Sequence, residues 1–150
     1  MKFTHWQKTI SSTTEKWEQV SDDQELFTNS GPNGMKIKRI VELINLMGSD
    51  SWINVPHMAD DNFVKDMAKY LRDNVREDVK IYLEYSYEVW NTLFSQNTYF
   101  VKKAEEKKLD NYIQYYANRA LEVFEIFDDV YGHNHYNRIT FVLTSETGKQ

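Results

Sequence analysis

Two glutamates, Glu84 and Glu88, are the acidic residues whose sequence surroundings most favour chemistry. Residues 80–91 read KIYLEYSYEVWN, and a segment of strand character leads directly into Glu88, Trp90 and Asn91. A carboxylate beside an indole and an amide, at the end of an apolar strand, is how many α/β enzymes build a sugar site. The segment therefore predicts a carbohydrate site that contains Glu88, Trp90 and Asn91.

The alternation of side chains along this strand assigns Glu84 to a face. Ile81, Leu83 and Tyr85 point to one side, and Glu84 points to the other. A buried carboxylate has to be ion-paired, hydrogen-bonded or protonated. Glu84 is thus either a structural carboxylate, which is the interpretation we favour, or a residue that contacts substrate.

Aromatic and imidazole side chains supply further candidates for sugar binding. His57 follows a predicted strand, where its ring either hydrogen-bonds a sugar hydroxyl or fixes the loop. Trp6 and Trp90 are the better stacking platforms, whereas Trp52 lies within an apolar strand and is predicted to be core. We therefore include His57, Trp6 and Trp90 among the substrate-binding residues.

Metal chemistry is not predicted. His133 and His135 could bind a metal through two imidazoles, but no carboxylate lies beside them in the sequence. Such pairs are more often loop residues that bind no metal. Glu146 follows the last predicted strand and is best interpreted as part of a polar tail. We predict neither a metal nor a cofactor.

Composition limits the class of protein. The length of 150 residues suits one domain. Ten Tyr and four Trp exceed what a minimal core needs, and such rings favour carbohydrate or protein contacts. A net charge of −5 argues against nucleic-acid binding. No segment is long enough to span a membrane, and the N-terminus lacks a signal core, so the protein is cytoplasmic or its leader is missing; the compartment stays unknown.

Periodicity predicts an alternating α/β chain after a first strand and a long polar loop at about residues 7–33. Repeated strand–helix units give a parallel sheet with right-handed crossovers. No linker divides the chain. The predicted strands are residues 2–6, 51–55, 80–86 and 139–144, and the predicted helices are residues 35–47, 62–74 and 99–131, with a break near Lys108.

Four segments resemble a known family in the order in which they occur. Residues 50–61, 81–91, 115–132 and 138–143 are similar to the family phrases DPWFNIPH.ADD, VYVEYSNEVWN, YYA.RA.EVF.I...VFG and RVL. The opening KFTHWQKT also resembles a family strand that reads RFMDW..TN. The family is a group of glycoside-hydrolase-like (β/α)8 barrels of clan-A type, often described as cellulose-binding or carbohydrate-active.

The resemblance implies roles for particular residues. Glu88 corresponds to the general acid/base at the end of the fourth barrel strand. The Asn that ordinarily precedes it, and contacts the sugar, is Tyr87 here, and His5 stands where an Asp is expected. The resemblance places the catalytic nucleophile on a late strand of the barrel. A complete barrel needs about 200–250 residues, so we expect that strand to be missing from these 150 residues.

We therefore predict a partial (β/α) barrel of about four parallel strands with flanking helices, in a single domain. The predicted function is that of a glycoside-hydrolase-like protein related to enzymes of β-linked polysaccharides, with weak or no activity. The alternative is a non-catalytic carbohydrate-binding or self-assembling module, in which open sheet edges lead to a homodimer. The predicted site comprises Glu88 as acid/base and, as substrate-binding residues, His57, Trp90, Asn91, Trp6, Tyr87 and Glu84.

Overall fold

The chain folds as an α/β protein with a three-stranded parallel sheet and, in the part of the chain that is described, five helices. The computed structural model describes residues 1–21, 33–132 and 137–146. His133 and His135 and residues 22–32 of the predicted loop lie outside these ranges. The elements are α1 (Glu18–Ser21), α2 (Ile37–Met47), β1 (Ser51–Val55), α3 (Asp61–Asn74), β2 (Ile81–Tyr85), α4 (Ser95–Glu106), α5 (Tyr112–Tyr131) and β3 (Ile139–Val142).

The sheet has the order β1–β2–β3, so each strand pairs with its neighbour in sequence. Both pairings are parallel, with Ile53 opposite Leu83 and Leu83 opposite Phe141. This confirms the predicted parallel sheet for three of the four predicted strands. The first predicted strand is reduced to one parallel bridge between Lys2 and Trp52.

The chain turns away from the sheet directly after this bridge. The backbone amide of Gln7 donates to the carbonyl of Phe3 at 2.9 Å, and that of Thr9 donates to Thr4 at 3.2 Å. These local hydrogen bonds occupy backbone groups that would pair with β1 if the strand were longer. The short helix α1 then forms inside the predicted loop, where polar composition gave no sign of it.

Capping residues explain where the longer helices begin and end. The carboxylate of Asp60 accepts from the backbone amide of Phe63 at 2.7 Å and caps the start of α3. Gly48 adopts a left-handed φ of 59° at the end of α2. Lys108 also has a positive φ, of 54°, and this residue separates α4 from α5. The predicted break in the long helix is thereby confirmed.

The two faces of the sheet differ in character. One face is apolar and packs on the helices: the ring of Phe141 stacks on Phe124 of α5, with centroids 4.7 Å apart. The other face carries the polar side chains of Asn54 and Glu84, both buried. The predicted alternation along β2 is confirmed, since Leu83 and Glu84 lie on opposite faces in the same strand.

The outer edge of β3 pairs with no strand among the described residues, whereas the outer edge of β1 receives the single bridge from Lys2. Unpaired edge strands favour association with a further strand. Self-association through this edge stays a prediction. Within the described ranges, no helix has the length and apolar character needed to cross a membrane.

Candidate functional site

The carboxylate of Glu84 is the centre of a buried polar network on the polar face of the sheet. Its side chain is 1% exposed. Oε2 accepts from the indole Nε1 of Trp52 at 2.7 Å, from Nδ2 of Asn54 at 3.0 Å and from Nζ of Lys2 at 3.3 Å. Oε1 accepts from the hydroxyl of Thr144 at 2.9 Å. Four donors thus satisfy a buried carboxylate that the sequence gave no partner.

Asn54 extends this network towards the N-terminal segment. Its amide also donates to the carbonyl of Ser86 at 2.7 Å, and its Oδ1 accepts from the hydroxyl of Thr4 at 2.9 Å. The side chain of Gln7 both donates to and accepts from the backbone of Asn54 at 2.9 Å. These bonds hold the turn that follows Lys2 against the strand ends.

The turn after β2 carries Glu88 in a strained backbone conformation. Ser86 and Glu88 have φ values of 64° and 39°, in the left-handed region that non-glycine residues rarely adopt. Amides at the start of α4 brace the turn: Gln96 donates to the carbonyl of Tyr87 at 2.8 Å, and Asn97 donates to that of Val89 at 2.7 Å. Such strain persists only where the surroundings enforce it, and it is frequent at functional sites.

Glu88 has predicted site residues as neighbours. The side-chain amide of Asn91 donates to Oε2 of Glu88 at 3.2 Å. The pKa of Tyr87 is raised, first by burial of its hydroxyl, then by a hydrogen bond to Glu88 and by the negative charges of Glu88 and Glu84. The structure therefore brings together Glu84, Tyr87, Glu88 and Asn91, all at the carboxyl end of β2.

A cleft of about 280 Å³ opens beside this turn. Trp90 forms one wall, the first turns of α5 form another, and the chain after β3 closes it. Its lining is mainly aromatic and aliphatic, with hydroxyl and carboxylate groups at one end. The residues that line the cleft are Val89, Trp90, Tyr112, Ile113, Tyr116, Thr144, Ser145 and Glu146. Glu88 and His57 are not among them.

The Glu84 network and the cleft share Thr144. The hydroxyl of Thr144 donates to Glu84, and its backbone amide donates to the hydroxyl of Tyr116 at 3.4 Å. Tyr116 in turn stacks on Tyr85, with ring centroids 6.0 Å apart. The position of the cleft wall is thus tied to the buried carboxylate.

His57 lies away from the cleft, in an aromatic cluster under α4. It is 2% exposed, and its ring meets Tyr99 edge-on at 5.1 Å and Phe100 at 6.3 Å between centroids. Its backbone carbonyl accepts from the hydroxyl of Tyr85 at 2.8 Å. Burial lowers the pKa of His57 to about 4. The imidazole is therefore neutral near pH 7, and it lies within the aromatic core.

The buried imidazole should make the protein less stable as the pH falls from about 6.5 to about 4. In this window the unfolded chain binds a proton at His57 that the folded chain excludes, because its folded pKa is about 4 and the ordinary value is 6.5. The free energy of unfolding should fall by about 3 kcal/mol across the window. Urea denaturation at a series of pH values measures it.

The matched variant is His57→Phe, which keeps a ring in the same aromatic surroundings. Its denaturation midpoint should change less with pH than that of the wild type. Equal pH profiles for the two proteins would show that His57 titrates normally in the folded state.

Trp6 lies apart from the cleft as well. Its indole is 39% exposed and packs edge-on against Phe3, with centroids 5.7 Å apart. Tyr112, Tyr116 and Thr144 line the cleft but were not among the predicted site residues. Both tyrosines lie within the predicted helix of residues 99–131, where core packing is the simplest interpretation, and only their position at the start of α5 could have suggested the cleft.

The fold defines the class: an α/β protein with a parallel sheet, whose mainly apolar candidate cleft lies near the carboxyl ends of the strands. Ligands of such sheets bind at this edge. Comparisons of the chain with protein-family models, with curated proteins and with solved structures gave no match.

Proposed function

We propose that the protein binds carbohydrate in the cleft beside Trp90. The observation that carries the proposal is the pairing of aromatic walls with polar groups in one cleft at the carboxyl edge of the sheet. Sugars present apolar C–H faces, which stack on aromatic rings, and hydroxyls, which need hydrogen-bonding partners. The walls made by Trp90 and Tyr112, with Thr144 and Glu146 at one end, offer both.

The size of the cleft limits what it can hold. A volume of about 280 Å³ is just below the usual range for ligand pockets, which begins at about 300 Å³. It suits one sugar ring, with the rest of a longer glycan outside. We propose β-linked oligosaccharides as the ligand class, because residues 81–91 resemble a segment of carbohydrate-active barrels that act on such glycans.

Substituting Trp90 by alanine should weaken binding of soluble β-glucan oligosaccharides by about tenfold. The indole supplies the largest flat surface in the cleft, and loss of one aromatic stacking partner costs roughly 1.4 kcal/mol or more when its buried area is included. Isothermal titration calorimetry on the wild type and the variant measures the change.

Two further variants make the Trp90 experiment specific. Trp6→Ala removes a partly exposed indole that does not line the cleft, and its affinity should equal that of the wild type. Trp90→Phe keeps a ring and should bind more tightly than Trp90→Ala. Equal losses in Trp6→Ala and Trp90→Ala, or no binding by the wild type to any β-glucan, would contradict the proposal.

Hydrolysis is the second candidate function, and the strained backbone at Glu88 favours it. The left-handed φ of Glu88 and its bond from Asn91 hold the carboxylate in one place at the strand end. Retaining hydrolysis needs a second carboxylate about 5–5.5 Å away. Glu84 is the candidate for this second carboxylate, because the charges of Glu84 and Glu88 both act on Tyr87. Its carboxylate, however, already accepts from four donors. Binding without turnover is therefore the first proposal.

If the wild type hydrolyses β-glucans, Glu88→Gln should lower the rate by about 100-fold with little change in binding. The amide keeps the shape of the side chain but cannot donate the proton to the leaving oxygen. Release of reducing ends measures the rate. Glu105→Gln, on the exposed surface of α4, is the control and should keep the wild-type rate. An active Glu88→Gln variant would remove Glu88 from the proposed acid/base role.

The same proposal extends the fold to a partial (β/α) barrel. Its support is the parallel order of β1, β2 and β3 and the parallel bridge from Lys2 to Trp52, which lies where a preceding barrel strand would pair. In such barrels, the sites lie at the carboxyl ends of the strands. Glu84, Glu88 and the cleft occupy that end here.

A further inference from the structure

The ammonium group of Lys2 lies in a cage of two aromatic rings and a buried carboxylate. Its Nζ is 4.4 Å from the ring centroid of Trp52 and 5.1 Å from that of Tyr87. The same Nζ is 3.3 Å from Oε2 of Glu84. Aromatic faces within about 6 Å attract a cation through the ring quadrupole, and aromatic cages of this kind recognise ammonium groups in ligands.

Trp52 and the carboxylate of Glu84 are held by contacts that do not involve Lys2. The indole of Trp52 donates to Glu84, and its ring stacks on Tyr82 with centroids 6.0 Å apart. The amide of Asn54 donates to Oε2 of the same carboxylate, and the hydroxyl of Thr144 donates to Oε1. The cage should therefore keep its shape when the Lys2 side chain is removed.

An entrance to the cage is present. The side chain of Lys2 is 42% exposed, and it borders an open hollow of about 320 Å³. Besides Lys2, this hollow is lined by Met1, Asp50, Ser51, Trp52 and Tyr82. A linear amine can reach the carboxylate along the path that the Lys2 stem now occupies.

We infer that Glu84, Trp52 and Tyr87 form a binding site for primary alkylammonium groups, which is occupied here by the chain's own Lys2. The buried carboxylate supplies the charge, the two rings supply the walls, and the hollow admits the alkyl chain. Lys2 competes with any external amine, because its attachment to the chain gives it a high effective concentration. The cage shares no lining residue with the cleft beside Trp90, but Thr144 connects Glu84 to the cleft. Substitutions of Lys2 and Tyr87, which leave Glu84 in place, therefore separate amine binding from carbohydrate binding.

The test is rescue of an emptied cage with n-butylammonium. In Lys2→Ala, n-butylammonium should bind with a dissociation constant in the millimolar range and alter the fluorescence of Trp52. The wild type should bind it at least about tenfold more weakly, because Lys2 fills the site. Lys65→Ala, which removes an exposed lysine of α3, should behave like the wild type. Circular dichroism verifies that each variant is folded.

Three comparisons separate a cation site from a simple apolar hollow. The neutral n-butanol should bind Lys2→Ala at least about tenfold more weakly than n-butylammonium. Adding Glu84→Gln to Lys2→Ala should abolish the preference for the cation, and adding Tyr87→Leu should weaken binding without disturbing the buried carboxylate. No binding to folded Lys2→Ala, or equal binding of the alcohol and the amine, would overturn the inference.

A second measurement on the wild type covers the case in which Lys2→Ala does not fold. Reductive ¹³C-methylation keeps the positive charge on lysine and gives each lysine an NMR signal. The Lys2 signal, assigned by its absence in Lys2→Arg, should be shifted upfield by the rings of Trp52 and Tyr87. Excess n-butylammonium should return it to the position of exposed lysines. A Lys2 signal that already has the exposed position, or that n-butylammonium does not move, would refute the cage.

Discussion

Replacing Glu84 with alanine should lower the free energy of unfolding by about 4 kcal/mol. The carboxylate is almost fully buried and accepts from Lys2, Trp52, Asn54 and Thr144. Alanine leaves these donors without their acceptor and opens a cavity among them, and loss of one partner of a buried pair typically costs about 3–5 kcal/mol. Urea denaturation followed by circular dichroism measures the loss.

Two glutamate variants isolate the cause of this loss. Glu84→Gln keeps the volume and one acceptor oxygen, and should cost about half as much as Glu84→Ala. Glu42→Ala removes an exposed glutamate whose contact is an i,i+3 ion pair with Arg39, and should cost less than about 1 kcal/mol. A Glu84→Ala protein as stable as Glu42→Ala would show that the network contributes little to the fold.

Replacing Phe100 with alanine should also cost about 4 kcal/mol. The ring is fully buried at the junction of α4, α5 and β2, where it meets Tyr85, Tyr115 and Tyr116 at centroid distances between 5.8 and 5.9 Å. Buried Phe→Ala substitutions combine lost burial with a cavity and cost about 3–5 kcal/mol. The urea denaturation midpoint should fall accordingly.

The Phe100 prediction carries a second, local consequence. Tyr116 forms a wall of the cleft beside Trp90, so a cavity at Phe100 should also weaken the carbohydrate binding that we propose for this cleft. Phe100→Leu, which refills most of the volume, should recover most of the stability. Leu121→Ala, at an exposed site on α5, should change the midpoint little. If Phe100→Ala lowered the urea denaturation midpoint no more than Leu121→Ala does, the aromatic cluster would not be what stabilises this part of the fold.

Much of the architecture followed from local patterns. The bounds of β1 were predicted correctly because a short apolar run is a local signal. The break near Lys108 was also predicted, although not its left-handed conformation. The strand at residues 2–6 failed to extend beyond one bridge, because Thr4 and Gln7 bond to Asn54 and bend the chain. Those contacts join residues 50 and 47 positions apart and leave no local trace in the sequence.

The site was only partly predictable, for the same physical reason. Spacing around one strand brought Tyr87, Glu88 and Asn91 together, since they lie in one turn. It could not place His57, because periodicity does not tell on which side of a strand end a loop residue packs. It also missed Lys2 as the partner of Glu84, because 82 positions separate them in the sequence.

The distance in sequence between the donors of Glu84 has a kinetic consequence. Lys2 precedes Glu84 by 82 residues, and Thr144 follows it by 60. During synthesis on the ribosome, the carboxylate is made long before its last donor, so a nascent chain holds it incompletely bonded. Contacts of such separation close slowly. Docking of β3 should therefore be the late step of folding on the ribosome.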